Sequence, residues 1–484
     1  MFSEKLEHII SELPVAIQKV IEMVIAYFTK EIADKDARIK ELENQLSKNS
    51  TNSSKPPSSD SPYKKPEPKS LREKTGKKVG GQKGHKGETL KMSETIDHKV
   101  VYEVKVCECC GVDLSKKTAD YIHRRQVFDI PLIKMEVTEH QVEEKKCLCG
   151  KVNRGVFPEN VSRYVQYGTR IKGMMVYLQD YQLLPSARTS GLIFDLFGHK
   201  ISEGTLFNTR KYAYTQLEDF ESGLKLLLTA ATIAGFDETG LRVLSKCWWL
   251  HSCSTEKHAY YEVHEKRGKE AMNAIGILPD FSGIAIHDFW RSYLGYNCTH
   301  GLCNAHLLRE LTFLEEQCQQ KWARELADLV IQMKKAKEQA IVEGKISLSD
   351  QIISKYEAQY DAIVQKGLEI NPFEPPPESK KKQPGRVAKS KARNLLERLR
   401  DYKTYILRFF NDFRVPFDNN FSERDIRMMK LKQKISGCFR SFKGAQYFAR
   451  IRSYIMTARK QNINCFKAIV DLFEQNNSYI QLLT

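Results

Sequence analysis

The order of strand-like and helix-like segments between residues 229 and 318 constrains the fold of this chain most strongly. An apolar run in "AATIAGFDETGLRVL" leads to Asp237, and "CWWLHSC" and "HAYYEVH" follow with the composition of strands. A helix-like stretch, "RGKEAMNAIGIL", comes next, then a buried strand in "FSGIAIHDFWRSY" that ends at Asp288, then the helix "LCNAHLLRELTFLEEQ". The sequence therefore predicts three strands, a helix, a strand and a helix, with one aspartate on the first strand and one at the tip of the fourth.

This order of elements is that of the ribonuclease H-like fold, in which the first and fourth strands are neighbours. Asp237 and Asp288 would then face one point. A carboxylate at the end of an apolar strand is costly unless it is paired or binds a metal ion. Two facing carboxylates repel each other, and a divalent cation relieves the repulsion. A third carboxylate would complete an oxygen-rich site for Mg²⁺ or Mn²⁺.

The third carboxylate is predicted to be Glu423, at the start of a basic helix in "PFDNNFSERDIRMMK". The cations of that helix would bring phosphate groups to the metal ions, and Arg427, one turn on, would hold the carboxylate or a phosphate. Two ions roughly 4 Å apart would activate a nucleophile and stabilise the leaving oxygen in phosphodiester chemistry. Glu238, Asp418 and Asp425 remain alternatives for the third ligand.

A further cluster of thiols and imidazoles contains Cys298, His300, Cys303 and His306. Cys303 and His306 lie one turn apart near the start of a helix, a spacing that suits packing beside the acidic site. His306 is predicted to hydrogen-bond one of the carboxylates, and a second zinc site is the alternative.

The charge of the chain indicates a polyanionic partner. The 484 residues carry 77 Lys and Arg against 60 Asp and Glu, a formal net charge of +17. A balance this basic favours nucleic acid first and an anionic membrane second. The sequence contains no run of about 18 apolar residues and no signal-peptide core, so we expect a cytoplasmic protein without membrane association. The twelve cysteines are then expected to be thiols or metal ligands.

Two cysteine clusters, each followed by glycine, predict a structural zinc site. The first reads "CECCG" and the second "CLCG", and strand-like sequence separates them. Zn²⁺ takes four soft ligands in a tetrahedron, which two such knuckles supply. The predicted ligands are Cys107, Cys110, Cys147 and Cys149, with Cys109 as an alternative for one of them.

A helix-turn-helix pattern occupies "SARTSGLIFDLFGHKISEGTLFNTRKYAY", with a tight turn near Gly198 and a second helix capped at Ser202. The second helix would lie in the major groove of DNA, and a helical hairpin that binds no DNA is the alternative. The basic, glycine-rich segment 71–91 would contact phosphates without reading sequence. The predicted DNA contacts are Lys83, Lys86, Arg188, Thr205, Asn208, Arg210, Lys211, Arg424, Lys430, Lys432, Lys434 and Arg440.

An N-terminal helix over 15–47 carries apolar residues in 4,3 spacing, which is typical of a short coiled coil and hence of self-association. An amphipathic helix packed on its own chain is the alternative. The predicted class is multidomain α+β, with a ribonuclease H-like α/β catalytic core that contains a helical insertion. The predicted regions are a coiled-coil helix (1–48), a flexible basic linker (49–99), a zinc-binding β domain (100–160), a helix-turn-helix domain (161–222), the first core segment (223–318), the helical insertion with a Pro- and Lys-rich loop (319–416), the second core segment (417–460) and a helical tail (461–484).

These motifs together resemble a known family, the bacterial insertion-sequence-66 transposases with a DDE catalytic core. The resemblance covers nearly the whole chain and is carried by "SKNSTNSSKPPSSD", "GGQKGHKG", the two cysteine knuckles, "DETGLRV", "HDFWRSY", "CNAHLLREL", "NNFSERDIRMMKLKQKISGCFRS" and "ARKQNINCFKAIVDLF". It implies Asp237, Asp288 and Glu423 as the catalytic triad. It also implies a zinc-binding region, a helix-turn-helix and accessory proteins encoded by the same element. The chain departs from the family at Phe289, where glycine usually precedes the tryptophan, and at the extra Cys109.

The function expected from these features is DNA transposition in the bacterial cytoplasm, with the protein on the nucleoid when it is bound to DNA. The enzyme would bind the element ends, hydrolyse a phosphodiester to expose each 3′-OH, and let that 3′-OH attack target DNA. Assembly on two ends requires at least a dimer. A structure-selective nuclease on the same fold and a non-catalytic zinc and helix-turn-helix regulator are the alternatives.

Overall fold

The computed structural model describes residues 10, 13–49, 52–53, 89–131, 133–373, 389–475 and 482–483. The chain divides into two compact units, one of residues 1–68, 158–190 and 201–484 and the other of residues 69–157 and 191–200. Helices and a five-stranded mixed sheet confirm the predicted mixed α+β class. Within the described ranges, no helix is both long enough and apolar enough to cross a membrane.

The unit of residues 69–157 and 191–200 contains two short antiparallel pairs. Strands β1 (Glu144–Lys146) and β2 (Val152–Arg154) pair with each other, and an isolated bridge joins Val106 to Asp113. The first cysteine cluster lies between the bridged residues, and the second lies between β1 and β2. Each predicted zinc knuckle is therefore the turn of a small antiparallel pair.

The larger unit is organised around a five-stranded sheet with the order β5–β4–β3–β6–β7. Its strands are β3 (Ile233–Val243), β4 (Lys246–Ser254), β5 (Ala259–His264), β6 (Ile284–His287) and β7 (Thr299–Leu302). β3, β4 and β5 are antiparallel, whereas β6 and β7 add in parallel on the other edge of β3. β6 is buried along its whole length, as its continuous apolar sequence predicts for a parallel strand covered on both faces. β3 and β6, the strands that lead to the two aspartates, are neighbours.

The described residues also form α-helices on both sides of the sheet strands in the chain. The helices are α1 (Val15–Leu46), α2 (Thr169–Val176), α3 (Ser186–Phe197), α4 (Glu203–Gln216), α5 (Glu218–Thr229), α6 (Lys269–Ile275), α7 (Asn304–Cys318), α8 (Lys321–Val342), α9 (Asp350–Ile370), α10 (Lys391–Asp401), α11 (Lys403–Ile406), α12 (Arg408–Asn411), α13 (Asn420–Ser436), α14 (Phe442–Lys460) and α15 (Cys465–Phe473). α13 packs against β3 and β4, and α14 runs along β5. Side chains alternate across β3, so Phe236 joins the core formed with α5, α14 and α15, whereas Gly235 faces α13.

The helices α8 to α12 separate α7 from α13. They share one apolar core with α7, in which Leu311, Trp322, Val330, Tyr360 and Leu396 are buried. Most of the Pro- and Lys-rich loop predicted within this stretch, residues 374–388, lies outside the described residues. The described portion of this stretch is mainly helical.

The predicted turn and cap of the helix-turn-helix segment are both present. Gly198 follows α3 with φ of +66°, a left-handed conformation that favours glycine. The Ser202 side chain accepts a hydrogen bond from the Thr205 N–H at 3.1 Å and so caps α4. The Ser190 hydroxyl donates to the Ile201 carbonyl, which ties α3 to the residue just before the cap.

β3 and α13 approach most closely at Gly235. A Cβ atom there would lie 2.3 Å from both Asn419 Oδ1 and Ser422 Oγ, and 2.6 Å from the Phe421 ring. The Asn419 amide also donates to the Phe236 carbonyl at 2.9 Å. The start of α13 therefore packs on the bare backbone of β3, a contact that only glycine permits.

Gly235→Ala should lower the free energy of unfolding by about 1–3 kcal/mol, because the added methyl group must displace the start of α13. Gly240→Ala on the same strand is the matched control, since its Cβ would meet nothing closer than 3.8 Å. Urea unfolding of both variants measures the effect. Equal stability of the two variants would contradict the assigned close contact.

Candidate catalytic site

Asp237 lies on β3 two residues after Gly235, so both residues face α13. Its Oδ1 accepts a hydrogen bond from the Glu238 N–H at 2.9 Å. Burial raises the pKa of Asp237 well above its usual range. The charges of Glu238, Glu423 and Asp288 raise this pKa further. Carboxylates from three elements therefore act on one buried point.

Asp288 follows directly after β6 and lies beside Asp237. β6 pairs in parallel with β3 in a register that places Ile286 opposite Gly235, and two further residues along each strand lead to the two aspartates. Burial raises the pKa of Asp288 to about 6, and the charge of Glu238 contributes to the rise. The predicted adjacency of the two aspartates thus follows from the strand register.

Glu423 lies in the first turn of α13. Its Oε1 is 3.5 Å from His306 Nδ1 and 3.6 Å from Cys303 Sγ, and its Oε2 is 3.9 Å from Arg427 Nη2. Burial lowers the pKa of His306 to about 3, so the contact between His306 and Glu423 joins a neutral imidazole to the carboxyl group and is no ion pair at neutral pH. His306 and Arg427 both lie at this carboxylate, but the hydrogen bond predicted from His306 is not formed, because its Nδ1 has no hydrogen-bond partner among the described residues.

The other acids near Glu423 have partners of their own. Asp425 is buried, and its Oδ2 binds Lys460 Nζ at 2.7 Å and the Ser254 hydroxyl at 3.0 Å. Asp418 accepts a hydrogen bond from the Asn420 N–H at 3.0 Å, at the start of α13. These contacts favour Glu423 over Asp418 and Asp425 as the acid that accompanies the two aspartates.

Among the residues that the structure describes, one group of three potential metal ligands has all its ligand atoms within 4.8 Å of one another. It consists of Cys303, His306 and Glu423. Asp237 and Asp288 do not belong to this group. The three predicted catalytic carboxylates therefore share one electrostatic environment, but their oxygen atoms do not form a closed ligand set in this structure.

An ion pair between a buried carboxylate and a half-exposed guanidinium, which the sequence alone does not reveal, lies beside the aspartates. Arg267 Nε and Nη2 donate to Glu238 Oε1 at 2.9 and 2.7 Å, and the Glu238 side chain is 2% exposed. The guanidinium lies 4.9 Å from the ring centroid of Trp249 and 4.3 Å from that of Trp290. The Tyr293 hydroxyl donates to the second oxygen of Glu238. Trp249, Trp290 and Tyr293 thus hold the pair of Arg267 and Glu238 in place.

The Glu238–Arg267 pair links the segments of both aspartates. Glu238 follows Asp237 in the chain, and Arg267 stacks on Trp290, whose N–H donates to Asp288 Oδ1 at 2.9 Å. Two adjacent acids on an apolar strand are the one sequence signal for this arrangement. The arginine lies 29 residues further along the chain, in a loop whose composition points to no partner.

The predicted zinc ligands lie in the two turns of the smaller unit. Hydrogen bonds lower the pKa of Cys107, and the bond from Cys110 contributes most. Hydrogen bonds also lower the pKa of Cys147, and there the bond from Cys149 contributes most. A lowered thiol pKa favours the thiolate, the form that binds zinc. Over the described ranges these sulfur atoms are not gathered within 4.8 Å of one another, and the zinc site stays a prediction.

The predicted DNA-contact residues differ in exposure. Those with exposed side chains are Arg188, Asn208, Lys211, Arg424, Lys434 and Arg440. Those that are partly buried are Thr205, Arg210, Lys430 and Lys432. Lys83 and Lys86 lie outside the described residues.

The three partly buried cations all contact groups of the protein itself, and Lys430 Nζ donates to the Gly240 carbonyl at 3.3 Å. Arg210 Nε and Nη2 contact both oxygens of Asp180 at 2.6–3.0 Å, and the Asp180 side chain is fully buried. Lys432 Nζ lies 5.7 Å from the centroid of the Phe448 ring, and burial lowers the pKa of Lys432 to about 8. These contacts assign Arg210 and Lys432 to internal packing rather than to a surface that faces DNA.

Arg267→Met should destabilise the protein by about 1–3 kcal/mol, because it leaves the buried Glu238 carboxylate without its cation, although solvent already screens the half-exposed guanidinium. Combining Arg267→Met with Glu238→Gln removes the unpaired charge and should restore a large part of the lost stability. Urea unfolding of the single and double variants measures both effects. A double variant less stable than Arg267→Met would show that the two residues do not act as a pair.

The raised pKa of Asp288 predicts a pH-dependent contribution to stability. Its folded-state pKa is about 6, above the unfolded value of about 3.9, so the folded state retains a proton between these values. The contribution of Asp288 should be most favourable below about pH 4, fall as the pH rises to about 6, and stay constant above that. The stability of wild type relative to Asp288→Asn, measured without divalent cations, should drop by about 2–3 kcal/mol over that interval. A pH-independent difference would contradict the prediction.

Comparison with protein families identifies the chain. The profile described as Transposase IS66 family matches residues 164–447, a range that includes Asp237, Asp288 and Glu423. A second profile, described as a family of unknown function (DUF6444), matches residues 4–91. No curated protein matches the chain. The first match confirms the resemblance drawn from the sequence motifs, and because it spans more than half of the 484 residues, the chain belongs to the IS66 family of transposases.

Proposed function

We propose that this transposase cuts DNA at the ends of its element and joins the freed 3′ ends to target DNA by metal-dependent DDE chemistry. The main support is the convergence of Asp237, Asp288 and Glu423 from β3, the end of β6 and the first turn of α13. Burial and mutual repulsion raise the pKa of Asp237. Carboxylates that repel one another in a poorly solvated site are stabilised by divalent cations.

The order of the sheet supports a ribonuclease H-like core. Three antiparallel strands are followed by two parallel strands on the far edge of the first, in the order β5–β4–β3–β6–β7. This order places the first and fourth strands side by side, as the fold requires for a shared acidic site. The insertion α8 to α12 then separates the second aspartate from the helix that carries Glu423.

The residue types fit the metal ions that the chemistry requires. Carboxylate oxygens suit Mg²⁺ or Mn²⁺, and two such ions per site would neutralise charge and activate first water and then the 3′-OH. Asp237 and Asp288 would bind the ions directly, and Glu423 would complete the site. The Glu238–Arg267 pair would orient this site, because Arg267 stacks on Trp290, and the backbone N–H of Trp290 donates to Asp288 Oδ1.

Exposed cations support binding of double-stranded DNA at this site. Arg424, Arg427 and Lys434 are exposed on α13, the helix that carries Glu423. Contacts from these cations to phosphates would release counterions and make binding salt-dependent. On α4, Asn208 and Lys211 are exposed and would contact base edges or phosphates of the element ends.

The two cysteine turns would bind one structural Zn²⁺ through Cys107, Cys110, Cys147 and Cys149. Their support is the pair of knuckle turns and the lowered pKa values of Cys107 and Cys147. A structural zinc ion would join the two short antiparallel pairs, which bury little apolar surface of their own. Cys109, also exposed, remains the alternative ligand in the first turn.

The N-terminal helix α1 would join two or more copies of the chain. Ile25, Phe28, Ile32 and Ile39, four members of its 4,3 pattern, are 49–58% exposed. A coiled coil between copies would bury this apolar seam. Such a dimer or higher oligomer would hold two element ends together, and accessory proteins of the same element would join it as the family resemblance implies.

A cleavage and strand-transfer assay on DNA that carries element ends, in Mg²⁺ and in EDTA, tests the proposal. Asp237→Asn, Asp288→Asn and Glu423→Gln should each lower product formation by at least about a hundredfold, since each removes a metal ligand. DNA binding should persist in all three. Asp418→Asn is the matched control, because asparagine keeps the acceptor for the Asn420 N–H and should retain activity.

The products distinguish the alternatives. Cleavage without joining would indicate a structure-selective nuclease. A wild-type protein that binds DNA but does not cut it, even with the accessory proteins supplied, would indicate a zinc and helix-turn-helix regulator. Full activity of Glu423→Gln would overturn the assignment of the third ligand.

A further inference from the structure

We propose that Cys303, His306 and Glu423 form a binding site for a zinc-class divalent cation that differs in chemistry from the Mg²⁺ site. Cys303 immediately precedes α7, His306 lies in the first turn of α7, and Glu423 lies in the first turn of α13. Rigid elements therefore hold all three side chains. Their ligand atoms already lie within 4.8 Å of one another.

The two separations that involve Glu423 fit tetrahedral coordination, and the ligand atoms of Cys303 and His306 lie within 4.8 Å of each other. Glu423 Oε1 is 3.6 Å from Cys303 Sγ and 3.5 Å from His306 Nδ1. Metal–sulfur distances of about 2.3 Å and metal–nitrogen or metal–oxygen distances of about 2.0–2.1 Å imply roughly 3.6 Å between S and O and roughly 3.4 Å between N and O. Little rearrangement is needed to bind a cation, and the fourth position stays open for water.

The ligand types favour zinc over magnesium. Thiolate and imidazole bind Zn²⁺ and Co²⁺ well and Mg²⁺ poorly. His306 Nδ1 is buried and makes no hydrogen bond to any residue that the structure describes. A buried polar atom without a partner is costly, and coordination of a cation would satisfy it.

Burial and the charge of Glu423 raise the pKa of Cys303, so its sulfur stays a thiol until a bound cation displaces the proton, and hydrogen bonding from Asn419 offsets part of this cost. The Asn419 N–H donates to Cys303 Sγ at 3.2 Å, and the Asn304 N–H donates to the Phe417 carbonyl at 3.1 Å, so α7 and α13 begin side by side. Helix N-termini stabilise negative charge on nearby groups. On binding, the thiol of Cys303 would release its proton to solvent, and the thiolate would coordinate the cation.

The consequence for activity rests on the proposed function, because Glu423 belongs to both ligand sets. A zinc-class ion at this site would hold Glu423 beside Cys303 and His306 and so keep this carboxylate from completing the Mg²⁺ site with Asp237 and Asp288. Such an ion should therefore inhibit cleavage in Mg²⁺. The site would make the enzyme sensitive to zinc through a side chain of its own catalytic set.

Titration of the full-length protein with Co²⁺ tests the site without any DNA reaction. Wild type should show one more equivalent of thiolate-to-cobalt charge-transfer absorption than Cys303→Ser, in which the hydroxyl keeps an acceptor for Asn419. Cys298→Ser is the matched control, because this nearby thiol lies outside the ligand group, and its spectrum should equal that of wild type. The knuckle cysteines contribute equally to all three proteins.

Two outcomes of the titration decide the proposal. Identical cobalt stoichiometry in folded wild type and folded Cys303→Ser would overturn the site. If Cys303→Ser does not fold, Glu423→Gln, which keeps the thiol, replaces it and should weaken cobalt binding at this site by at least about tenfold. Unchanged cobalt binding by Glu423→Gln would likewise overturn the site.

Adding Zn²⁺ to the Mg²⁺-dependent cleavage assay tests whether both metal sites use Glu423. Half inhibition of Cys303→Ser should require at least about tenfold more Zn²⁺ than half inhibition of wild type. If Zn²⁺ inhibits wild type and Cys303→Ser equally, Glu423 does not link the two sites, even if cobalt binds at Cys303. If wild type does not cleave DNA in Mg²⁺ even with the accessory proteins supplied, the proposed function fails, whereas the cobalt titration still decides the metal site.

Discussion

The packing of α13 on the bare backbone of β3 is the constraint on which the rest of the site depends. Because no side chain separates Gly235 from Asn419 and Ser422, the first turn of the helix lies directly on the strand that carries Asp237. The parallel register of β3 and β6 independently sets Asp288 beside Asp237. One strand thus anchors all three carboxylates, although the chain that separates them includes a whole helical insertion.

Concentrating acids in a poorly solvated place costs free energy, and the structure compensates only part of it. Glu238 is neutralised by Arg267, and the cation is in turn held between two tryptophan rings. Asp237 and Asp288 instead keep raised pKa values because burial and neighbouring charges disfavour their ionised forms. A cation that binds the folded state alone would recover this free energy as stability. In the proposed mechanism this unrelieved repulsion would favour the binding of a divalent cation, and the pairing of Glu238 with Arg267 limits the repulsion.

The sequence predicts the order of the strands along the chain and the two aspartates, because an apolar run that ends in an acid is visible within one short stretch of sequence. The position of Glu423 on a basic helix predicts it as the third carboxylate. Asp425 could be set aside only from the structure, in which it binds Lys460. Arg210 illustrates the limit. Helical periodicity predicts α4, yet it does not indicate that Asp180, in a preceding helical segment, binds this arginine inside the protein. Pairing between distant segments, rather than element type, is what sequence patterns leave open.

The junction where α7 and α13 begin joins two chemistries. On one side, carboxylate oxygens suit a hard cation, and on the other, Cys303 and His306 offer sulfur and nitrogen within reach of Glu423. Zn²⁺ binds mixed nitrogen, oxygen and sulfur ligands more tightly than Mg²⁺ does, so under our proposals the two ligand sets would compete for Glu423. Because the same helix starts position Glu423 and its soft neighbours, a change at this junction would alter catalytic geometry and metal preference together.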